Sequence, residues 1–286
     1  MNILITGLNS YLGNSFKNYL ASWPNVYNTK IIDLRKNLND YNFNGFDVIF
    51  HCAGIAHDDT KNADKNLYYR FNTDLTAKTA QKAKAEGIKQ FIYMSSSIVY
   101  GKSAPIGENK IINLNSPVNP ASFYGESKIL AENELRKLKD DNFKICIIRA
   151  PMIYGKNSKG NYKILSSIAQ KLPAFPKINN LRSMLYIGNF VEFVKLLIDN
   201  KESGTFWPQN NEYSNTSQLI KLIAEAHNKK ILLLPGFKLP LKILACFSNK
   251  INKAFGNLIY DQSLSEYKFN YRLYNLKQSI NLTENF

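Results

Sequence analysis

The sequence predicts an α/β protein in which a doubly wound parallel sheet is followed by a smaller C-terminal domain. Short, continuous apolar segments alternate with helical patterns over residues 1–150, and continuous apolar strands are typical of parallel sheets covered on both faces. Right-handed crossovers between such strands give the doubly wound arrangement. With 286 residues, of which 44% are apolar, the chain can bury one large core or a large and a small one.

The strand and helix patterns follow one another in a regular order. We expect helices from about residue 11, through residue 85 and over residues 124–138, because these stretches separate the apolar segments. In chain order, those segments are NILIT, KIID, DVIFHCA, FIYMSS and KICIIRA. Each segment with the helix that follows it forms one βα unit.

This order becomes irregular after Pro151, where Gly, Pro, Lys and Asn are frequent. Residues 184–199 then resemble a return to the first domain, and short strands, helices and prolines alternate to the end of the chain. We therefore predict a first domain of residues 1–154 plus 182–203 and a substrate-binding domain of residues 155–181 plus 204–286.

The charge balance is strongly basic, with a formal net charge of +15. The lysines are spread among many asparagines instead of forming one run, and no compact nucleic-acid-binding motif is present. An anionic small substrate therefore explains the charge better than nucleic acid, and we predict no nucleic-acid partner.

The three cysteines lie far apart in the sequence. Cys52, Cys146 and Cys246 have no CxxC spacing, and two of them lie inside apolar segments. We predict reduced core residues, no disulfide framework and no metal site.

No targeting or membrane-spanning segment is recognisable. The chain enters an apolar strand at once, without a basic region and a long apolar region before it. No stretch reaches the roughly 18 uncharged apolar residues of a spanning helix. We therefore expect a cytoplasmic protein.

The segment TGLNSYLG has the pattern of a strand, a tight turn and a helix. Gly7 permits the turn, and Gly13 permits close approach of helix and strand, so that backbone N–H groups can face a pyrophosphate. Ser10 occupies the place of the usual middle glycine, so the pattern is incomplete. A serine at this position can loosen or displace a bound pyrophosphate.

Asp33 follows the second apolar segment, twenty residues after Gly13. A carboxylate there accepts hydrogen bonds from the adenosine ribose and repels a 2′-phosphate, which favours NAD(H). Arg35 is suited to binding a 2′-phosphate instead, so NADP(H) is the alternative cofactor.

A phenol and an ammonium lie four residues apart in YGESK, on one helix face. Lys128 can thereby hold its charge beside the Tyr124 hydroxyl and lower its pKa, which suits proton transfer. The serines of FIYMSSSIVYG follow the fourth apolar segment, where doubly wound sheets place ligands.

With these motifs the chain resembles the extended short-chain dehydrogenase/reductase family, also described as NAD-dependent epimerases/dehydratases, over essentially its whole length. The segments that carry the resemblance also include DVIFHCAGIAH, IIRAPMIYG and RSMLYIGNF. The resemblance implies a Rossmann-type fold and a catalytic set of Ser96, Tyr124 and Lys128.

The resemblance also implies which residues bind the cofactor and the substrate. Arg182 corresponds to the arginine that grips a nucleotide-sugar diphosphate, as a guanidinium fork suits phosphate oxygens. The expected cofactor residues are Gly7, Ser10, Tyr11, Leu12, Gly13, Asp33, Arg35, Cys52, Ala53, Gly54, Asn72, Ser95, Tyr124, Lys128 and Pro151. The expected substrate residues are Ser96, Ser97, Tyr154, Asn161 and Arg182.

Among members of the family, the chain looks like reductases of UDP-2-acetamido-2,6-dideoxy-4-hexulose. These make UDP-N-acetylfucosamine or UDP-N-acetylquinovosamine for capsule and O-antigen, and the C4 configuration stays open. Ser97 and Ile98 replace the Asp–Glu pair of 4,6-dehydratases, which argues against water elimination. The alternatives are a UDP-hexose or UDP-N-acetylhexosamine 4-epimerase and a non-catalytic nucleotide-sensing regulator.

Residues 232–255 mix apolar residues with Lys238, Lys242, Lys250 and Lys253. We favour a substrate-domain helix with one solvated face, and the alternative is weak peripheral contact with an anionic membrane. A homodimer through the fourth and fifth helices fits the resemblance.

Overall fold

The computed structural model describes residues 1–55 and 64–285. The chain divides into two compact units. The sheet unit comprises Met1–Gly101, Pro117–Ala150 and Val191–Trp207, and the second unit comprises Lys102–Ser116, Pro151–Phe190 and Pro208–Phe286.

The described part of the chain contains the following strands and helices, in chain order. The strands are β1 (Asn2–Thr6), β2 (Asn28–Ile32), β3 (Val48–His51), β4 (Gln90–Ser96), β5 (Ile111–Ile112), β6 (Lys144–Ala150), β7 (Met152–Tyr154), β8 (Ala174–Pro176), β9 (Met184–Tyr186), β10 (Gly204–Phe206), β11 (Leu232–Leu234) and β12 (Ile259–Tyr260). The helices are α1 (Tyr11–Leu20), α2 (Lys65–Tyr68), α3 (Leu75–Ala85), α4 (Phe123–Leu138), α5 (Asn161–Lys171), α6 (Ile187–Asp199), α7 (Thr216–Ala226), α8 (Lys238–Phe247), α9 (Asn249–Phe255) and α10 (Leu276–Glu284).

A six-stranded parallel sheet organises the sheet unit, in the order β10-β6-β4-β3-β1-β2. The strand order reverses between β1 and β3, whose last paired residues are Thr6 and His51. In doubly wound sheets, ligands bind beyond the carboxyl ends of the strands at such a switch point. The predicted doubly wound Rossmann-type fold is therefore confirmed.

Apolar strand residues and the helices over them form the core of the sheet unit. Leu4, Ile49, Phe91 and Ile147 of neighbouring strands pack with Ala131 of α4, which explains why these strands are continuous apolar segments in the sequence. In the second unit, α5, α7 and α10 contribute a separate core.

Four segments lie in a different unit from the one predicted. Strand β10 pairs with β6, so residues 204–207 belong to the sheet unit. Strand β9 pairs with β7, which places residues 151–154 and 182–190 in the second unit. Residues 102–116 also belong there, because β5 pairs with β12. Each of these pairings joins segments distant in sequence, which local patterns do not reveal.

The cysteines differ in burial. Cys146 is buried, Cys52 is half-buried and Cys246 is exposed; all three are free thiols. The expectation of a core position is therefore wrong for Cys246, which lies on the outward side of α8.

Within the part of the chain that the structure describes, no helix has the length and apolar character required to span a bilayer.

Gly13 provides a first prediction, because a Cβ at this position would lie 2.9 Å from Cys52 Sγ and 3.0 Å from Ile5 Cγ2. Overpacking outweighs the gain in helix propensity, so Gly13→Ala should lower the free energy of unfolding by about 1–2 kcal/mol, measured by urea denaturation. The control is Asn18→Ala at an exposed position of α1, which should not destabilise. Adding Cys52→Ala to Gly13→Ala should restore part of the loss. Unchanged stability of Gly13→Ala would contradict the packing.

Candidate active site

The turn after β1 is the first part of the site. Gly7 has φ of +94°, a conformation that glycine adopts without steric cost. Its N–H donates to the Ile32 carbonyl at 2.9 Å, and its own carbonyl accepts from the Ser10 N–H at 2.9 Å. These bonds fix the path from β1 into α1.

Ser10 is the N-cap of α1. Its Oγ accepts from the Gly13 N–H at 3.2 Å, which satisfies one of the unpaired donors of the first helical turn. The residue in place of the middle glycine thus stabilises the helix start. The remaining N–H groups of this turn keep the partial positive charge that attracts a phosphate.

The loop after β3 lies beside this turn. The Thr6 Oγ1 accepts from the Ala53 N–H at 3.2 Å, and the Cys52 thiol donates to the Thr6 carbonyl at 3.0 Å. A Cβ on Gly7 would lie 3.2 Å from the Ala53 Cα. The two backbones therefore approach where a pyrophosphate needs small residues. Ala56 and His57, the end of the motif DVIFHCAGIAH, lie outside the described residues.

Asn72 binds Ile55, in the described part of that loop. Its Oδ1 accepts from the Ile55 N–H at 2.8 Å, and its Nδ2 donates to the Ile55 carbonyl and to Ser127 Oγ of α4, each at 3.2 Å. Asn72 lies in a π-helical turn, Tyr69–Asp74, between α2 and α3. The side chain is fully buried and supports Ile55, and a direct contact of Asn72 with the cofactor stays a prediction.

Asp33 follows β2 directly and forms an ion pair with Arg35. Arg35 Nη2 lies 2.6 Å from Asp33 Oδ2, and Nε donates to Oδ1 at 2.9 Å. The hydrogen bonds from Arg35 lower the pKa of Asp33 to about 2. The two residues that favour different cofactors therefore contact each other.

At the end of β4, three consecutive serines have different surroundings. Ser95 is buried and its hydroxyl donates to Glu132 Oε1 at 2.6 Å, so a cofactor contact of Ser95 stays a prediction. Ser96 is half-buried, and its Oγ accepts from the Ile98 N–H at 3.3 Å. Ser97 is also half-buried. Because the Ser96 Oγ is the acceptor in its bond with Ile98, this bond does not use the Ser96 O–H.

The start of α4 positions Tyr124. Ser122 caps the helix, with its Oγ accepting from the Gly125 N–H at 3.2 Å. A Cβ on Gly125 would lie 3.1 Å from the Ile98 carbonyl oxygen and 2.9 Å from Pro120 Cβ. The absence of a side chain at Gly125 therefore lets the first turn of α4 pack against Ile98, two residues after Ser96.

Lys128 is buried one turn further along α4, with 6% of its surface exposed. Its Nζ donates to the Met94 carbonyl at 2.8 Å and lies 4.8 Å from the Tyr93 ring centroid and 5.8 Å from that of Tyr124. A Cβ on Gly54 would lie 3.6 Å from this Nζ. The ammonium thus joins β4, α4 and the loop after β3.

The pKa of Tyr124 moves in the direction opposite to the one that we predicted from YGESK. Burial, with a smaller contribution from Tyr68, raises the pKa of Tyr124 to about 12. Burial also lowers the pKa of Lys128 to about 8. The lysine charge is directed at the Met94 carbonyl, and the loss of water around the phenol dominates. At neutral pH, the phenol is protonated.

A buried ion pair behind Ser95 was not found from the sequence. Arg149 Nη2 and Nε donate to the two carboxylate oxygens of Glu132 at 2.7 and 3.1 Å, and Nη1 donates to the Tyr100 hydroxyl at 2.7 Å. Burial opposes ionisation of Glu132, but the hydrogen bonds and charge of Arg149 lower its pKa overall. An arginine inside the apolar segment KICIIRA was the one signal that a buried acid had to be near.

The predicted substrate residues lie in the second unit, except for the two serines. Tyr154 is fully buried there; its hydroxyl lies 2.6 Å from Ser279 Oγ and accepts from Asn210 at 3.0 Å. Its side chain belongs to the core of the second unit, and a substrate contact of Tyr154 stays a prediction. Pro151 is buried between β6 and β7, and Asn161 is exposed at the start of α5.

Arg182 is half-buried in the second unit. Its Nη1 donates to the carbonyls of Lys253 at 2.5 Å and Gly256 at 3.2 Å, at the end of α9. Burial lowers its pKa. The guanidinium thus binds a helix C-terminus through one nitrogen, and its contact with a diphosphate stays a prediction.

The backbone approach at Gly7 and Ala53, the first turn of α1 and the carboxylate of Asp33 fit a dinucleotide. These features lie at the carboxyl ends of β1, β2 and β3, at and next to the switch point. A family model described as the NAD dependent epimerase/dehydratase family matches residues 3–213. The chain belongs to this family.

Two curated proteins illustrate what the chain is similar to in sequence. The chain is 29% identical over 259 residues to the N-acetyl-α-D-glucosaminyl-diphospho-ditrans,octacis-undecaprenol 4-epimerase of Escherichia coli O157:H7, with 84% of this chain and 75% of the relative covered. It is 32% identical over 219 residues to a UDP-glucose 4-epimerase of Vibrio cholerae, with 74% and 63% covered. The chain thus spans less than two thirds of the second relative.

Among solved structures, a dTDP-4-dehydrorhamnose reductase from Clostridium acetobutylicum superposes with a TM-score of 0.78 at 18% identity. The match covers 99% of this chain and 98% of that protein. At this identity, the likeness concerns the fold of the epimerase/dehydratase family and not the reaction.

Burial of Lys128 gives a prediction for the dependence of stability on pH. Between the folded pKa of about 8 and the ordinary value of 10.5, the unfolded chain binds a proton at this lysine that the folded chain does not. The free energy of unfolding therefore gains a contribution that rises with pH across this window. This contribution is absent in Lys128→Met. Between a pH below 8 and a pH above 10.5, the free energy of unfolding of wild type should therefore rise by on the order of 3 kcal/mol more than that of the variant.

Urea denaturation of both proteins at several pH values measures this difference. Lys17→Met, at an exposed position of α1, is the matched control and should follow wild type. A constant difference between wild type and Lys128→Met would show that the ammonium is not desolvated.

Proposed function

We propose that this protein reduces the 4-keto group of UDP-2-acetamido-2,6-dideoxy-4-hexulose with NADH or NADPH. The products would be UDP-N-acetylfucosamine or UDP-N-acetylquinovosamine, precursors of bacterial surface polysaccharide. The observation that carries the proposal is a protonated Tyr124 phenol one helical turn from the buried Lys128 ammonium, in a member of the epimerase/dehydratase family.

The protonation state of Tyr124 favours the reductive direction. Reduction of a ketone leaves an alkoxide that needs a proton, whereas oxidation of an alcohol needs a base. A phenol with its pKa raised to about 12 is a proton donor at neutral pH. In this proposal, Tyr124 donates its proton to the oxygen at C4.

Ser96 and Lys128 assist this proton transfer. The Ser96 Oγ accepts from the Ile98 N–H, which orients the hydroxyl so that its O–H can donate to the same substrate oxygen. Lys128 retains most of its charge below its pKa of about 8 and stabilises negative charge on the phenol oxygen as the proton leaves.

The dinucleotide would lie along the carboxyl ends of β1, β2 and β3. A bound nicotinamide supplies the hydride for C4. The Gly7 turn and the first turn of α1 would hold the pyrophosphate, Asp33 the adenosine ribose, and Ala53 and Gly54 would give the cofactor close access to backbone.

The test of the proposal uses the full chain with the 4-keto sugar nucleotide, generated by a 4,6-dehydratase, and with NADH or NADPH. Loss of reduced-nicotinamide absorbance that depends on the sugar is expected. Proton NMR of the product then gives the C4 configuration through the H3–H4 coupling. No oxidation of either cofactor by the folded protein would refute the reductase proposal.

A second candidate is a sugar-diphosphate 4-epimerase. The observation that favours it is that both curated relatives described above are 4-epimerases, one of a UDP-sugar and one of a polyprenyl-diphosphate-linked sugar. An epimerase retains its cofactor and needs no added reductant. Interconversion of UDP-N-acetylhexosamines, or of the lipid-linked sugar, without added NADH would favour this candidate.

Tyr124→Phe should lower the rate of ketone reduction on the order of 100- to 1000-fold, because one donor to the developing oxyanion is lost. Cofactor affinity, measured by fluorescence titration with NADH, should change little. The matched control is Tyr27→Phe, whose hydroxyl donates to Asp199 and which should keep full activity. An active Tyr124→Phe enzyme would remove Tyr124 from the mechanism.

Asp33→Ser should shift cofactor preference toward NADPH. The substitution removes the carboxylate that repels a 2′-phosphate and releases the Arg35 guanidinium, now paired at 2.6 Å, to bind it. A gain of one charged hydrogen bond corresponds to roughly 10- to 100-fold in the ratio of kcat/KM for NADPH over NADH. Asp33→Ser/Arg35→Ser should lose this gain, and an unchanged ratio in Asp33→Ser would mean that neither residue contacts the ribose.

A further inference from the structure

Helix α8 carries its large apolar residues on the outside of the protein. At 100° per residue, Leu239, Ile243 and Phe247 fall on one face of Lys238–Phe247. Their side chains are 68%, 56% and 85% exposed. Leu244 beside them is 52% exposed, whereas Leu241 on the opposite side is buried.

From the sequence we favoured a substrate-domain helix with a solvated polar face, and α8 has the opposite orientation. A helix of that kind turns its apolar stripe inward and its charges outward. Two further exposed apolar residues, Leu232 and Phe237, precede α8 in the sequence. Contiguous exposed apolar area of this kind indicates an interaction surface. We define the α8 face as Leu239, Ile243, Leu244 and Phe247.

The charged residues in the sequence on either side of α8 all have one sign. Between Glu225 and Asp261 the sequence contains six lysines and no acidic residue. Lys238 and Lys242 are both exposed and lie on α8 itself, with their stems packed at Gly107, where a Cβ would lie 2.9 and 3.4 Å from the respective Cε atoms. At 100° per residue, Lys238 and Lys242 lie next to Leu239 around the helix, at the edge of the α8 face.

We propose that the α8 face binds the surface of an anionic membrane. The apolar side chains would enter the boundary between headgroups and acyl chains, and the lysines would contact anionic headgroups, as in interfacial amphipathic helices. A second copy of the chain is a poorer partner, because a two-fold contact through this face would bring the lysines of both copies together.

The test measures cosedimentation of the full chain with vesicles of phosphatidylcholine alone and of phosphatidylcholine with phosphatidylglycerol. We expect binding to the anionic vesicles that weakens as salt rises. Leu239→Ser/Ile243→Ser/Phe247→Ser should lower the partition coefficient at least about tenfold. Lys238→Glu/Lys242→Glu should lower it by roughly fivefold or more per lysine on anionic vesicles only.

The matched control is Val26→Ser/Leu114→Ser/Leu282→Ser, which replaces exposed apolar residues elsewhere, with 50%, 76% and 48% exposure. This control should bind vesicles as wild type does. Circular dichroism and urea denaturation of each variant establish that it is folded. Because lipid binding is the readout, the result does not depend on which sugar the protein acts on.

Two results would overturn the proposal. The first is that wild type does not bind the vesicles, or that it binds them no better than Leu239→Ser/Ile243→Ser/Phe247→Ser, which we call the α8-face variant. The second is a wild-type dimer in sedimentation equilibrium that the α8-face variant converts to monomer, without vesicle binding by either; a second copy would then cover the face.

Discussion

The site depends on one buried ammonium group. Lys128 Nζ donates to the Met94 carbonyl of β4 and lies close to Tyr124 on its own helix and to Gly54 after β3. A buried lysine is costly unless it is hydrogen-bonded, so these three segments must keep their places for the charge to be tolerated. The same burial leaves the phenol protonated, and the acid required for ketone reduction follows from that constraint.

Close backbone packing makes this arrangement possible. Gly125 lets α4 approach the segment after Ser96, and Gly13 lets α1 approach β1 and Cys52. Asn72 then fixes the loop after β3 from a π-helical turn, a feature often found at functional sites. Behind the serines, Glu132 forms a buried ion pair with an arginine of β6. These contacts hold the described segments at the carboxyl edge of the sheet in place.

The sequence was sufficient to predict the parallel sheet, the glycine turn and the YGESK helix, because each has a local period or spacing. Local patterns did not reveal contacts between distant segments. The pairing of β5 with β12 moved residues 102–116 to the second unit, and no local pattern in the sequence singled out Glu132 as a buried acid. The pKa of Tyr124 was predicted in the wrong direction because helical spacing gives proximity to Lys128 but not the loss of water around the phenol.

Transfer of deuterium tests the central claim most directly. The enzyme would be given reduced nicotinamide cofactor deuterated at the transferring carbon, together with the 4-keto sugar nucleotide, and the product would be examined by proton NMR. Direct reduction by this site predicts deuterium at C4 of the sugar with a single configuration. Deuterium absent from C4, or distributed over both configurations, would contradict hydride delivery to a ketone held against Ser96 and Tyr124.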